Sequence, residues 1–269
     1  MNIKKDIRKE LKTRVLVMDG AMGSLIQDYK LTAADYHGQR LKDFPFDQKG
    51  NNDILSITHP EIIREIHGKY LEAGADIVET NTFNSQAISL ADYHMETLGY
   101  ELSKAGAECA KRAVLKVQAA QPGRQCFVAG AIGPTNRTAS LSPDVNDPGA
   151  RGVTFAELQD AYHEQALALH RQLGDRLGEA NVLQAIGDVQ NFRKDMDTTL
   201  ASYAEALTLY RAVGAIGLAD GGHDRPERAE VPLVHQPTVP RHQRHTAGQN
   251  RSGCATVELP MVQGDRAFK

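Results

Sequence analysis

The sequence lacks the cysteines of a disulfide framework. Its three, Cys109, Cys126 and Cys254, are odd in number and widely spaced, which suits a reducing compartment. It lacks any apolar run near the length of a membrane span. Met1-Asn2-Ile3-Lys4-Lys5 leads into a charged amphipathic segment, where a signal peptide would have an apolar core. A strong charge of either sign is missing too. The formal net charge is −3, which gives no reason to expect nucleic acid or an anionic membrane as a partner. Together these absences predict a cytoplasmic protein. What remains is an ordinary globular composition, 24% charged and 41% hydrophobic. Its 269 residues suffice for one large barrel or two small domains.

The stretch from Gly74 to Asn84 carries the most information. Ala75 to Val78 is short, apolar and partly β-branched, and it stops abruptly at Glu79, Thr80 and Asn81. That pattern predicts a buried strand whose carboxyl end presents polar groups. It occurs twice more. Val15 to Met18 runs into Asp19-Gly20, and Phe127 to Ile132 runs into Gly133-Pro134-Thr135-Asn136-Arg137. In barrels and open α/β sheets, ligands sit at that end of the strands. If the three strands are parallel and adjacent, Asp19, Glu79, Asn81, Thr135 and Asn136 converge on one rim. The alternative is that Glu79 and Asn81 only cap the next helix.

Between these strands the spacing predicts helices. Ile3, Ile7 and Leu11 suggest one over about residues 3 to 12. Thr58-His59-Pro60-Glu61 offers a cap, a capping box and a first-turn proline for a helix with Ile62, Ile63, Ile66 and Tyr70 on its buried stripe. A longer helical region spans about residues 85 to 120, broken near Gly99. Residues 30 to 52 and 134 to 148 read as long loops. The order strand, helix, strand, helix, strand argues for parallel βα units.

The character changes near Phe155. Ala166-Leu167-Ala168-Leu169-His170-Arg171 aligns with Ala206-Leu207-Thr208-Leu209-Tyr210-Arg211, forty positions on. Leu183, Ile186, Gly187 and Val189 supply a packing helix between them. Such a period marks a helix-pair repeat, and residues 156–220 resemble a tetratricopeptide repeat. From Gly221 onward, Pro226, Pro232, Pro237, Pro240 and Pro260 interrupt every possible element, so residues 221–269 are expected to be a disordered tail. The spacing of its histidines fits no defined metal site.

Met18 to Gly23, Gly50-Asn51-Asn52-Asp53, Gly74 to Asn84 and Gly133 to Ser140 closely resemble cobalamin-dependent methionine synthase. The likeness is to its amino-terminal homocysteine-binding module, the homocysteine S-methyltransferase module, over about residues 10–155. It implies an α/β fold of the TIM (β/α)8-barrel type, and residues 1–155 would hold about three of its βα units. It also implies methyl transfer from methylcobalamin to homocysteine, giving methionine. A zinc ion held by three cysteines would turn the substrate sulfur into a thiolate. By position, Asp19, Gly20, Glu79, Thr80 and Asn81 would bind the amino acid end of homocysteine, with the carboxylates facing its ammonium. Thr135 and Asn136 would belong to a rim loop.

The departures matter as much. The family's Gly-Cys-Cys pair and earlier cysteine are missing, so no metal ligand is assigned, and no cobalamin-carrying module is present in the chain. The expected partners are homocysteine, a separate cobalamin-carrying module or protein, and a second copy of the chain through exposed strand edges. The resemblance implies a truncated methyltransferase module, inactive alone. A non-enzymatic helical-repeat interaction protein and a non-functional fusion product stay open beside it.

Overall fold

In the computed structural model, which describes residues 7–215, helices dominate. The predicted tail, its histidines and Cys254 lie outside the described residues. Helices α1 (Ile7–Leu11), α2 (Met22–Asp28), α3 (Ala33–His37), α4 (Leu55–Thr58) and α5 (Pro60–Glu72) precede the first strand, β1 (Ile77–Glu79). Then come α6 (Ala87–Leu90), α7 (Gly99–Ala120) and β2 (Phe127–Ala129). Three long helices complete the order: α8 (Phe155–Leu173), α9 (Arg176–Phe192) and α10 (Met196–Ala212). Among the described residues, no helix is long and apolar enough to cross a membrane.

The core sits between α4, α5 and α7. Ile63, Ile66 and Leu71 of α5 and Leu102, Ala107, Ala110 and Val114 of α7 are buried at helical spacing. Small residues let α7 come close to the strand end. A Cβ on Gly106 would lie 2.4 Å from Thr82 Cγ2 and 3.0 Å from the Asn81 carbonyl oxygen. Gly74, at φ +113°, turns the chain from α5 toward β1 with no side chain to oppose it.

The sheet is small. β1 and β2 pair in parallel, with Ile77 opposite Phe127 and Glu79 opposite Ala129. The segment before Asp19 adds only a single parallel bridge, Met18 to Ile77. It is pinned by Asp76, which accepts a hydrogen bond from Val17 N–H at 3.0 Å and pairs with Arg14 at 2.9 Å. Val15 in that segment is 85% exposed.

The expected TIM-type α/β architecture is therefore corrected. Among the described residues, the fold is mostly α-helical, with a two-stranded parallel sheet that does not close into a barrel. The physical reason lies in the chain beyond β2. Closure needs further strands, each staggered against the last, and after Ala129 the described chain runs through irregular structure into α8, α9 and α10.

Two local expectations also change. Thr58 does not cap α5. It ends α4, where its hydroxyl donates back to the Ile54 carbonyl at 3.3 Å, and α5 starts at Pro60 behind His59. Glu61 pairs instead with His59 Nδ1 at 2.9 Å. The loop expected over residues 30–52 contains α3, opened by a Thr32–Asp35 capping box.

Helix α8 has a capping box of its own, Thr154 with Glu157, and ends at Gly174 in the left-handed region. Helices α9 and α10 are capped by Asp175 and Asp195. Ala166 to Arg171 falls in α8 and its counterpart, Ala206 to Arg211, in α10.

Candidate functional site

A cleft of about 470 Å³ opens at the carboxyl end of β1. Its lining includes Asp19, Gly20, Glu79, Thr80 and Asn81, all singled out in the sequence. Asn52, Asp53, Asn84 and Ala131 complete its polar and backbone wall.

Hydrogen bonds between neighbouring segments hold this arrangement. Glu79 N–H donates to both carboxylate oxygens of Asp19, at 3.0 and 3.1 Å. Asp19 N–H in turn donates to the Ile77 carbonyl at 2.9 Å. The aspartate side chain thus takes the place of a strand neighbour for Glu79. Burial pushes the Asp19 carboxyl up to about 6, against the Glu79 N–H and with help from the Glu79 charge.

Thr80 and Asn81 build the floor. Thr80 Oγ1 accepts from Ala131 N–H at 2.9 Å and lies 2.6 Å from Thr82 Oγ1. Asn81 Nδ2 donates to the Asn52 carbonyl at 2.9 Å and to Ser56 Oγ at 3.2 Å. Both side chains are buried. Their polar groups tie β1 to β2 and to the loop before α4.

Asn52 and Asp53 were not singled out as site residues. Their signal was the Gly50-Asn51-Asn52-Asp53 run closing the long loop. Tyr36 hydroxyl donates to Asn52 Oδ1 at 2.9 Å, while Asn52 Nδ2 lies 3.7 Å from where a Cβ on Gly23 would stand. Asp53 accepts from Asn84 N–H at 2.7 Å and from Ser85 Oγ at 2.8 Å. Burial pushes its carboxyl up to about 6, against those two donors.

Thr135 and Asn136 do not line the cleft. Thr135 N–H donates to the Tyr162 hydroxyl at 3.1 Å, and Asn136 Nδ2 donates to Asp92 at 2.6 Å. The loop is drawn toward α8 and toward the turn after α6.

Among the described residues, the lining holds three carboxylates and no basic side chain. Such a cleft attracts a cation and repels phosphate. A zinc ion on three cysteines does not fit the donors present. Cys109 Sγ faces the Ser56 and Pro60 carbonyls at 3.9 and 3.8 Å, and burial pushes its thiol up to about 11. Cys126 is buried beside β2. Among the described residues, no group of three or more His, Cys, Asp or Glu is gathered to hold a metal.

Comparison with known proteins returns a family model described as Homocysteine S-methyltransferase, matched over residues 16–218. Similar solved structures are of the homocysteine methyltransferase MmuM from Escherichia coli. The metallated form is 20% identical, covers 67% of this chain and 62% of that one, and has a TM-score of 0.48. The oxidized form is 19% identical, with coverages of 69% and 61% and a TM-score of 0.47. The apo form is 20% identical, with coverages of 66% and 59% and a TM-score of 0.42. The chain thus spans about three fifths of the length of these proteins. The family match corrects the narrower resemblance to cobalamin-dependent methionine synthase. The matched family is described by its homocysteine chemistry alone, and its match runs on through α8, α9 and α10 rather than stopping near residue 155. Methylcobalamin as methyl donor is withdrawn with it.

Proposed function

The chain belongs to the homocysteine S-methyltransferase family, and we propose that its cleft binds the amino acid end of homocysteine. The acidic lining carries this reading: Asp19, Asp53 and Glu79 all line the cleft, and among the described residues no cationic side chain does. Asp19 and Glu79 face the substrate ammonium. Gly20 leaves room beside them, and Asn52 offers an amide to the carboxylate. Thr80 and Asn81 keep the floor in shape through their bonds to Ala131, Asn52 and Ser56.

The donors among the described residues do not fit a metal-held thiolate. The substrate thiol then keeps a pKa near the ordinary value of about 8.5 and stays mostly protonated at neutral pH. Recognition is of the amino acid, not of the sulfur. Homocysteine and methionine are therefore expected to bind with similar, weak affinity.

The test is calorimetric titration of both amino acids between pH 5 and 8, on the wild type, Asp19→Asn and Glu79→Gln. An ammonium favours the ionised aspartate. Affinity should rise as pH climbs through about 6, where Asp19 loses its proton, and Asp19→Asn should flatten that rise. Binding indifferent to both substitutions would remove the cleft as the site. A strong preference for homocysteine would reveal a thiolate-activating group beyond those described.

A further inference from the structure

Helix α8 opens the repeat-like stretch, yet one of its faces is spent on the strand ends. Tyr162, Gln165 and Leu169 stand at i, i+3 and i+7 and so share that face. Tyr162 hydroxyl donates to the Gly133 carbonyl at 3.2 Å and accepts from Thr135 N–H at 3.1 Å. Gln165 Nε2 donates to the Thr82 carbonyl at 2.5 Å and reaches the Ala131 carbonyl at 3.4 Å. Leu169 lies 3.1 Å from where a Cβ on Gly130 would stand. One helix face thus holds Gly130, Ala131, Gly133 and Thr135 of the segment leaving β2, together with Thr82 of the segment leaving β1.

The Gln165 contact is more than packing. The side chain is buried, and its Oε1 has no hydrogen-bond partner among the described residues. A buried unpaired acceptor costs about 1–3 kcal/mol. An apolar side chain of the same size would avoid that cost, but would leave the buried Thr82 carbonyl without the Gln165 donor. Two carbonyls before Nε2 fix the amide's orientation, since the flipped amide would set oxygen against oxygen. What the glutamine supplies is a tie between the two strand exits. Both exits reach the cleft: Ala131 lines it, and the Ala131 amide is bonded to Thr80 Oγ1 on its floor.

We propose that Gln165 and Tyr162 are positioning residues, through which α8 sets the spacing of the β1 and β2 exits and hence the shape of the amino-acid cleft. The proposal rests on the assignment of that cleft to the amino acid end of homocysteine. It makes α8 part of the site, although no residue of α8 lines it.

The experiment uses the full chain and four variants. Gln165→Met keeps the volume and removes the donor. Gln165→Glu sets a carboxylate against two carbonyls. Tyr162→Phe removes one donor and one acceptor. Tyr210→Phe, whose hydroxyl bonds Asn181 and Gln184 far along the helical stretch, is the control. Methionine affinity is measured by calorimetry well below each melting temperature, with amide hydrogen exchange alongside. Both Gln165 variants should weaken methionine binding at least tenfold, and Tyr162→Phe at least threefold, with the control unchanged. Exchange should quicken at Ala131 and Thr135 and not along α9 or α10. A purely structural role would lower the melting temperature and leave the affinity of the folded fraction alone. Affinities within twofold of wild type in both Gln165 variants would therefore overturn the proposal. If Gln165→Glu does not fold, Gln165→Met and Tyr162→Phe decide by the same criteria. If the wild type binds neither amino acid, the cleft assignment fails by itself and exchange decides the coupling. Quickening confined to Ala131 and Thr135 upholds it, and exchange as in wild type overturns it.

Discussion

The segment around α4 to α7 and the helices α8 to α10 reach stability by different routes. In the first, large aliphatic side chains vanish from solvent: Ile54, Leu55, Ile63, Ile66, Leu71, Leu90 and Leu102 are fully buried. In the second, the side chain most completely buried among the larger residues is Gln165, a polar group turned toward the strands. The apolar burial there falls mostly on small positions such as Ala168, Ala180 and Ala206, with Leu169 and Leu183 as the larger buried residues, while Phe192 is 88% and Leu200 62% exposed. Ion pairs on the surface add to it, Arg171 with Glu179 and Glu205, and Arg193 with Asp160. A helix array buries its apolar surface only between neighbours. Three helices have few neighbours, whereas the segment around α5 and α7 closes on itself.

The largest effect expected from this difference is in core truncation. Leu102→Ala should cost about 4 kcal/mol, within the range for a buried leucine in a rigid core. Leu183→Ala, between α8 and α10 where the site can collapse more easily, should cost about 2 kcal/mol. Denaturant unfolding of both variants measures it. Equal losses would mean that α8 to α10 pack as tightly as the segment before them.

A smaller effect separates the two by pH. His67 of α5 is 0% exposed, neither ring nitrogen has a partner among the described residues, and burial pushes it down to about 4. The unfolded imidazole binds its proton near the ordinary pH of about 6.5. Between those values the unfolded state holds more protons, so stability is full above about 6.5 and is lost as pH falls toward 4. His67→Leu removes that loss. It should be more stable than wild type by about 1 kcal/mol at pH 7, from the unpaired nitrogens, and the gap should widen at pH 5. Melting curves at the two pH values test this. A gap that shrinks on acidification would mean the imidazole has a partner.

The same contrast explains what could be read from the sequence. Strand β1 was legible because Ile77 and Val78 form a β-branched pair, Val78 fully buried and Ile77 half-buried, and the chain turns polar at Glu79. So was the α5 stripe, through Ile63 and Ile66. The start of α5 was misread, because Thr58 and Glu61 have cap spacing but a short helix ends at Thr58 first. Helix α3, five residues long, has too few turns for a periodic signal, and only Thr32 and Asp35 betray it. Val15 to Met18 read as a buried strand, yet pairs on one side only, a matter of what lies beyond it rather than of its own residues. The barrel failed for a related reason. Beyond Phe155 the repeat-like spacing already gives helices where further strands would stand, and before it the three apolar runs do not report that only two of them pair as strands. The cleft was partly legible, since Asp19, Gly20, Glu79, Thr80 and Asn81 line it. Gln165 was not, because a glutamine on an amphipathic helix looks like a solvated position until the strand carbonyls are set before it.

The smallest expected effect tests whether surface charges matter to α8, α9 and α10. Arg171 is the hub: its Nε lies 2.8 Å from Glu179 and its Nη2 2.7 Å from Glu205, so one guanidinium ties α8 to both later helices. The arginine side chain is 34%, that of Glu205 51% and that of Glu179 15% exposed, which leaves the Glu205 attraction open to screening by water and salt and the Glu179 one less so. Exposed pairs contribute about 0.2–1 kcal/mol. Arg171→Met keeps much of the apolar stem and removes both pairs, so the loss should stay below about 1 kcal/mol. It should shrink in 1 M salt, where the Debye length falls to about 3 Å. Unfolding of wild type and variant at low and high salt gives the comparison. A loss several times larger, or one indifferent to salt, would mean that Arg171 acts as a packed strut rather than a charge. The helical stretch would then be held from within, as the α5 and α7 core is.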